Sequence, residues 1–189
     1  MNSFKTFGVP AIVLFLICFV STLLLALTNR VTAPQIQRLK AQSEEESRMR
    51  VMSLAESFSD KKIVSLDGEN YEYYEGIDKN GECIGYVFTT SEKGYGGDIR
   101  VMTGVNADGT VNSVRTLELN ETAGLGMNAQ NDSFLNQFKG LVSGITVSKE
   151  KPGENSIDAL TGATITSRAV TGAVNDALEL YKAVTGGVQ

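Results

Sequence analysis

Four hydroxyls crowd the segment DALTGATITSRAV near the end of a 189-residue chain: Thr161, Thr164, Thr166 and Ser167. A hydroxyl is a weak nucleophile unless a base activates it. The chain contains no histidine, which excludes a Ser-His-Asp triad, a Cys-His pair and the usual zinc sites. Two uses remain for these groups. Thr166 or Ser167 can cap free N–H groups at a helix start, or one hydroxyl can anchor a cofactor that brings its own chemistry. Capping requires neither the Gly162-Ala163 pair between two threonines nor Asp158 ahead of them. Gly162 and Ala163 leave the flanks of Thr164 sterically open, as a modifying enzyme would require. A phosphate esterified to Thr164 would also sit at a helix N-terminus, where unpaired N–H groups and the macrodipole favour negative charge.

Two glycine-rich segments could complete such a site. In EKGYGGDIRV, Gly94, Gly96 and Gly97 bracket Tyr95 just before an expected strand, and bare backbone there admits either a planar ligand or a plain hairpin bulge. In LNETAGLGMNA, Gly124 and Gly126 allow a tight turn, while Glu121 and Thr122 present polar groups at a strand end; backbone N–H groups of this loop could meet a heterocycle. An ordinary loop is the competing reading, and no GxGxxG opens a helix here.

The elements that must position these segments follow from the pattern. Residues Phe7 to Leu27 carry no charge, and about 20 residues at ~1.5 Å each span the ~30 Å hydrocarbon core. The stretch exceeds the h-region of a signal peptide and lacks a small-x-small cleavage site, so an uncleaved anchor is expected over residues 1–30, with its helix at about 7–27. Lys5 flanks one side and Arg30, Arg38 and Lys40 the other, so charge alone does not orient it. A polar helical stalk is expected over 31–60. Residues 61–189 then form one domain, since the chain has no room for a second core. YEYYEGI, ECIGYVFTT, GDIRVMTGV and TVNSVRTLEL read as strands, with hairpin turns at Asp78–Gly81 and Asn106–Gly109. A short helix is expected at DSFLNQF and a strand at GITVSKE. Ala169, Val170, Ala173, Val174, Ala177, Leu178 and Tyr181 keep helical spacing. The fold class is α+β: a transmembrane helix and stalk, then an antiparallel sheet closed by a C-terminal helix.

The formal charge of −5 and the lack of a basic cluster in the C-terminal two thirds argue against a nucleic-acid partner. Cys18 lies in the apolar run and Cys83 in the soluble part, so both read as structural thiols without a bridge.

DALTGAT fits the pattern Asp-x-x-Ser/Thr-Gly-Ala-Thr, and here the sequence resembles FMN-binding domains of the G subunit of the Rnf electron-transport complex and of the C subunit of sodium-translocating NADH:quinone reductase. GYVFTTSEKGYGGDI, ETAGLGMNAQNDSFLNQFKG and the anchor extend the resemblance, in order, over nearly the whole chain. The compact length and short stalk favour the Rnf G subunit; a quinone-reductase C-type subunit and a solitary membrane-anchored flavoprotein carrier are the alternatives. The resemblance implies that Thr164 receives FMN through a phosphoester, installed from FAD by a magnesium-dependent flavin transferase. It implies that Asp158, Thr161, Gly162 and Ala163 shape the attachment turn and that Glu121, Thr122, Gly124 and Leu125 flank the ring. Gly126, Tyr95 and Gly96 are expected as further lining. It also implies an extracytoplasmic flavin domain, an electron-relay role, and partnership with other membrane and peripheral subunits. One departure is Ala123, where the family loop usually has proline; losing its fixed φ is expected to loosen the loop.

Overall fold

A computed structural model of the chain describes residues 7–66, 68–148 and 153–186. Lys5 lies outside the described residues, as do Lys149 and Glu150 at the end of the expected GITVSKE strand.

The chain divides into two units, Met1–Ser43 and Glu44–Gln189. The first consists of most of helix α1 (Val9–Val51), which is long and apolar enough to cross a membrane and has its apolar side chains exposed. Helix α1 continues through Pro34 into the expected helical stalk, although proline removes one intrahelical hydrogen bond. One feature differs from the sequence reading. The stalk expected over 31–60 ends as helix at Val51, and the compact unit starts at Glu44 rather than residue 61.

In the second unit, strands β1 (Ser57–Phe58), β2 (Lys62–Leu66), β3 (Glu69–Ile77), β4 (Cys83–Lys93), β5 (Asp98–Asn106) and β6 (Val111–Glu118) form a six-stranded antiparallel sheet. Its order is β1-β3-β4-β5-β6, with β2 also pairing β3. The expected hairpins join β3 to β4 and β5 to β6. At the first, the Asp78 carboxylate accepts the Asn80 and Glu82 N–H groups at 2.8 and 2.9 Å. These bonds hold its carboxyl below the ordinary carboxylate range. After β6 come a one-turn helix α2 (Asp132–Leu135), then β7 (Thr146–Ser148) and β8 (Ser156–Asp158), and last helix α3 (Thr164–Thr185). Strand β7 falls in the expected GITVSKE strand, and its parallel pairing with β8 is an addition to the antiparallel sheet that a three-residue β8 was too short to announce.

Alternation along the strands gives the sheet two apolar faces. Phe88, Ile99, Val101 and Val105 meet Val170, Ala173, Val174, Ala177 and Leu178 of α3 in the main core. Every apolar position assigned to the C-terminal helical stripe is buried. The buried Thr90 hydroxyl donates to the Ala173 carbonyl at 2.7 Å, fixing α3 along the sheet.

On the opposite face, Val51 and Met52 at the end of α1 pack with Val87 and Met102. The sheet admits them through a saddle of glycines. A Cβ at Gly76 would meet the Met52 side chain, one at Gly85 the Met52 methyl and the Val105 carbonyl, and one at Gly104 the Val51 carbonyl. The Asn112 amide donates to that carbonyl at 2.7 Å, and the Arg48 guanidinium lies 3.6 Å from the centre of the Tyr74 ring, a cation–π contact.

One carboxyl in this unit gives the fold a pH dependence. Partial burial, with the neighbouring Glu92 and Glu179 carboxyls, pushes Asp176 on α3 up to about 6. Folding therefore favours its protonated form. The stability it contributes is full below the ordinary Asp value of 3.8 and is lost as pH rises through about 6. Asp176→Asn is expected to raise the melting temperature at pH 7.5 and leave it unchanged at about pH 3, below the unfolded value. The side chain is half-exposed, so screening reduces the gain at pH 7.5 to about 1 kcal/mol or less; thermal denaturation at the two pH values checks this.

Candidate functional site

The two glycine segments and the hydroxyl-rich turn, far apart in sequence, converge on one concavity of about 600 Å³. It is lined by Tyr95, Glu121, Thr122, Leu125, Gly126, Gly162, Ala163, Thr164, Ile165 and Thr166. Strand β4 delivers Tyr95 on the β4–β5 turn, the chain leaving β6 delivers Glu121 to Gly126, and the approach to α3 delivers the rest.

Thr164 is the first residue of α3 and is partly exposed. Its hydroxyl makes no hydrogen bond among the described residues. The cap expected at Thr166 or Ser167 is not formed: the helix starts earlier, after Ala163, and has no side-chain cap. The Thr166 hydroxyl donates to Glu121 Oε2 at 3.1 Å. Ser167 Oγ accepts the Leu160 N–H at 2.9 Å and donates to the Ala163 carbonyl at 3.0 Å, stitching the preceding turn to the helix. The N–H groups of Thr164, Ile165 and Thr166 therefore have no acceptor among the described residues, as at any uncapped N-terminus. Gly162, at φ +74°, shapes that turn, and a Cβ there would come 3.1 Å from Leu125 Cδ2.

Glu121 organises the opposite wall. Its Oε1 accepts the Tyr95 N–H at 2.8 Å and the Gly96 N–H at 3.3 Å. A Cβ at Gly94 would fall on Oε1, and one at Gly126 would lie 2.7 Å from Oε2. The glycines read as room for a planar ligand thus serve the chain itself: Gly94 and Gly126 leave space for this carboxylate, and Gly96 for the Asn120 carbonyl.

Four of the sequence-expected residues do not line the concavity: Gly96, Gly124, Asp158 and Thr161. Gly124, at φ +77°, forms the turn behind Leu125, with its carbonyl accepting the Asn128 amide at 3.0 Å. The Leu125 and Met127 N–H groups both donate to the Thr122 carbonyl, at 3.1 and 3.2 Å. These bonds hold the loop that Ala123 was expected to loosen. Asp158 ends β8 with an exposed side chain, its N–H donating to Gln137 Oε1 at 2.7 Å. Thr161 is exposed on the turn before Gly162. Conversely, Ile165 and Thr166 line the site although the sequence did not single them out for it. An apolar residue left exposed in the first turn of a buried helix was the available signal for Ile165.

The lining has an apolar mouth. Tyr95, Leu125 and Ile165 are large side chains left 72%, 42% and 55% exposed around it. Among the described residues, no lysine or arginine lines it. An aromatic heterocycle suits such a wall, and its volume falls within the ~300–1,000 Å³ of small-molecule sites.

A family model described as the FMN-binding domain matches residues 94–179, and one described as the RnfG N-terminal region matches residues 1–51. The G subunit of the Na(+)-translocating ferredoxin:NAD(+) oxidoreductase complex of Acetobacterium woodii is 37% identical, covering 90% of this chain and 89% of the relative. Its proton-translocating counterpart from Clostridium ljungdahlii is 36% identical with the same coverage. The G subunit of the ion-translocating oxidoreductase complex of Methanosarcina acetivorans is 29% identical, covering 98% of this chain and 100% of the relative. The chain belongs to the RnfG family, the G subunits of ion-translocating oxidoreductase complexes.

In fold, it is similar to the C subunit of the Na(+)-translocating NADH-quinone reductase from Parabacteroides distasonis, with a TM-score of 0.60 at 18% identity over 77% of this chain and 93% of that one. The Shewanella oneidensis protein of the same type gives a TM-score of 0.52 at 21% identity, covering 68% and 67% of the two chains.

Proposed function

We propose that this chain is an electron-relay component of a membrane-bound, ion-translocating ferredoxin:NAD oxidoreductase complex, holding FMN covalently through a phosphoester to Thr164. The observation that carries this reading is the Thr164 hydroxyl itself, unbonded, at the wall of the apolar concavity and on the uncapped first turn of α3. Bound there, FMN supplies one- and two-electron redox chemistry that the side chains lack. The free N–H groups of Thr164, Ile165 and Thr166, at the start of α3, would be available to an esterified phosphate. Tyr95, Leu125 and Ile165 offer apolar surface to the ring and exclude water from part of it. Esterification also removes one ionisable oxygen from the phosphate, which suits a lining that has Glu121 and, among the described residues, no cation.

A flavin transferase is the partner required for maturation, and the other members of the complex are the electron donor and acceptor. Mass spectrometry of the Thr164 peptide, after expression with the transferase, tests the attachment: added FMN mass is the expected result, and an unmodified peptide rejects it. Proteins copurifying in mild detergent test the complex against a solitary carrier.

The extracytoplasmic placement of the domain rests on the family resemblance. Cys83 is exposed on the compact unit, so a membrane-impermeant maleimide added to intact spheroplasts is expected to label it. Labelling only after lysis would reverse the orientation.

A further inference from the structure

We infer that Glu121 is a positioning residue: its carboxylate clamps the Tyr95 turn to the first turn of α3 and thereby sets the width of the concavity above Thr164. The inference rests on Thr164 carrying FMN.

Two observations lead to it. Both carboxylate oxygens are engaged, Oε1 by two adjacent backbone N–H groups and Oε2 by the Thr166 hydroxyl. Their partners stand on separate walls, 26 and 45 residues away in sequence. The carboxylate also occupies space that glycine alone leaves at positions 94 and 126. Few other ties hold the Tyr95 turn. Its ring is 72% exposed, and besides Glu121 it is closed by the Gly94 N–H donating to the Gly97 carbonyl at 2.8 Å. Tyr95 and Ile165, the apolar side chains of the two walls, are thus held at one separation by a side chain whose oxygens point into the walls. Glu121 acts on a bound ring through them.

Geometry requires two acceptor positions at the end of a two-methylene stem. Glutamine preserves the stem and one oxygen for the Tyr95 and Gly96 N–H groups, while the Thr166 hydroxyl can rotate to accept from the amide. Alanine preserves nothing.

The test uses full-length protein made with the flavin transferase, as wild type, Glu121→Ala, Glu121→Gln and Thr166→Val. Peptide mass comes first, because an unmodified wild-type Thr164 rejects the flavin reading and not this one. On modified protein, flavin fluorescence and visible circular dichroism report how the ring is held. Glu121→Ala is expected to fluoresce several-fold more brightly and to lose most of the dichroism, with Glu121→Gln close to wild type. Loss of modification in Glu121→Ala alone also supports the clamp, since the attachment turn is then misplaced. Wild-type signals from Glu121→Ala overturn it, and so does Glu121→Gln behaving like Glu121→Ala, which would assign the effect to charge. Should Glu121→Ala fail to fold, Thr166→Val decides: a brighter flavin supports the clamp and an unchanged one overturns it.

Discussion

Thr164→Ala is expected to purify colourless from cells in which the wild type carries stoichiometric flavin, while melting at the same temperature as the unmodified wild type. The expectation follows from what the concavity lacks. Free FMN brings a phosphate of nearly two negative charges, and among the described residues no lysine or arginine lines the site to meet it. The Glu121 carboxylate lines the same concavity. The uncapped start of α3 contributes about 0.3–1 kcal/mol toward an anion, or ~2 in a favourable, partly buried geometry. That is far less than the ~8 kcal/mol needed for micromolar retention. Apolar contact with Tyr95, Leu125 and Ile165 adds to it, yet the mouth they form is open. On the proposed attachment, the bond at Thr164 is what would keep the flavin through purification. Removing the hydroxyl breaks no hydrogen bond among the described residues, so stability should move by less than about 0.5 kcal/mol. Absorbance after denaturation and a melting curve give both answers; a yellow Thr164→Ala protein would refute the expectation.

The second large effect concerns Gly104, remote from the site. A side chain there meets the Val51 carbonyl and backbone carbon at the end of α1, and backbone on both sides leaves nothing to rotate away. Overpacking of this kind costs about 1–3 kcal/mol, occasionally more. A branched residue also drives off the carbonyl that Asn112 holds. Gly104→Val is expected at the upper end, about 3 kcal/mol, which lowers the melting temperature by roughly 10 °C in a unit of this size. Gly97→Ala is the control: nothing lies within 4 Å of its Cβ position, and it should stay within about 0.5 kcal/mol of wild type. The chain has six tyrosines and no tryptophan, so tyrosine fluorescence follows the compact unit in detergent without a contribution from the apolar part of α1. Equal melting of the two variants would remove the saddle from the account of stability.

Most of what positions the site was legible in the sequence because it is periodic. The strands β3 to β6 and the buried stripe of α3 repeat every two residues or every three to four, and hairpin turns mark the joints. The gathering of Tyr95, Glu121 and Thr164 was legible only through motifs carried by a resemblance, since local pattern has no knowledge of which loops meet. Other features left no periodic trace. Strands β1 and β8 are two and three residues long. Capping preference alone would start α3 at Thr166 or Ser167, but these residues spend their hydroxyls on Glu121 and on the Leu160–Ala163 turn. The glycines mislead for a related reason. A sequence records that no side chain is present and is silent on what fills the space, and at Gly94 and Gly126 the occupant is a carboxylate from elsewhere in the chain.

The bond from Asn112 to the Val51 carbonyl joins residues 61 positions apart, which imposes a chronology. Val51 leaves the ribosome well before Asn112 exists, and the saddle that receives it needs β3, β4 and β5 already side by side. The last turn of α1 therefore waits, undocked, until most of the sheet has been synthesised and paired. Its seating is a contact between residues distant in sequence, the kind that forms slowly because loop closure must come first.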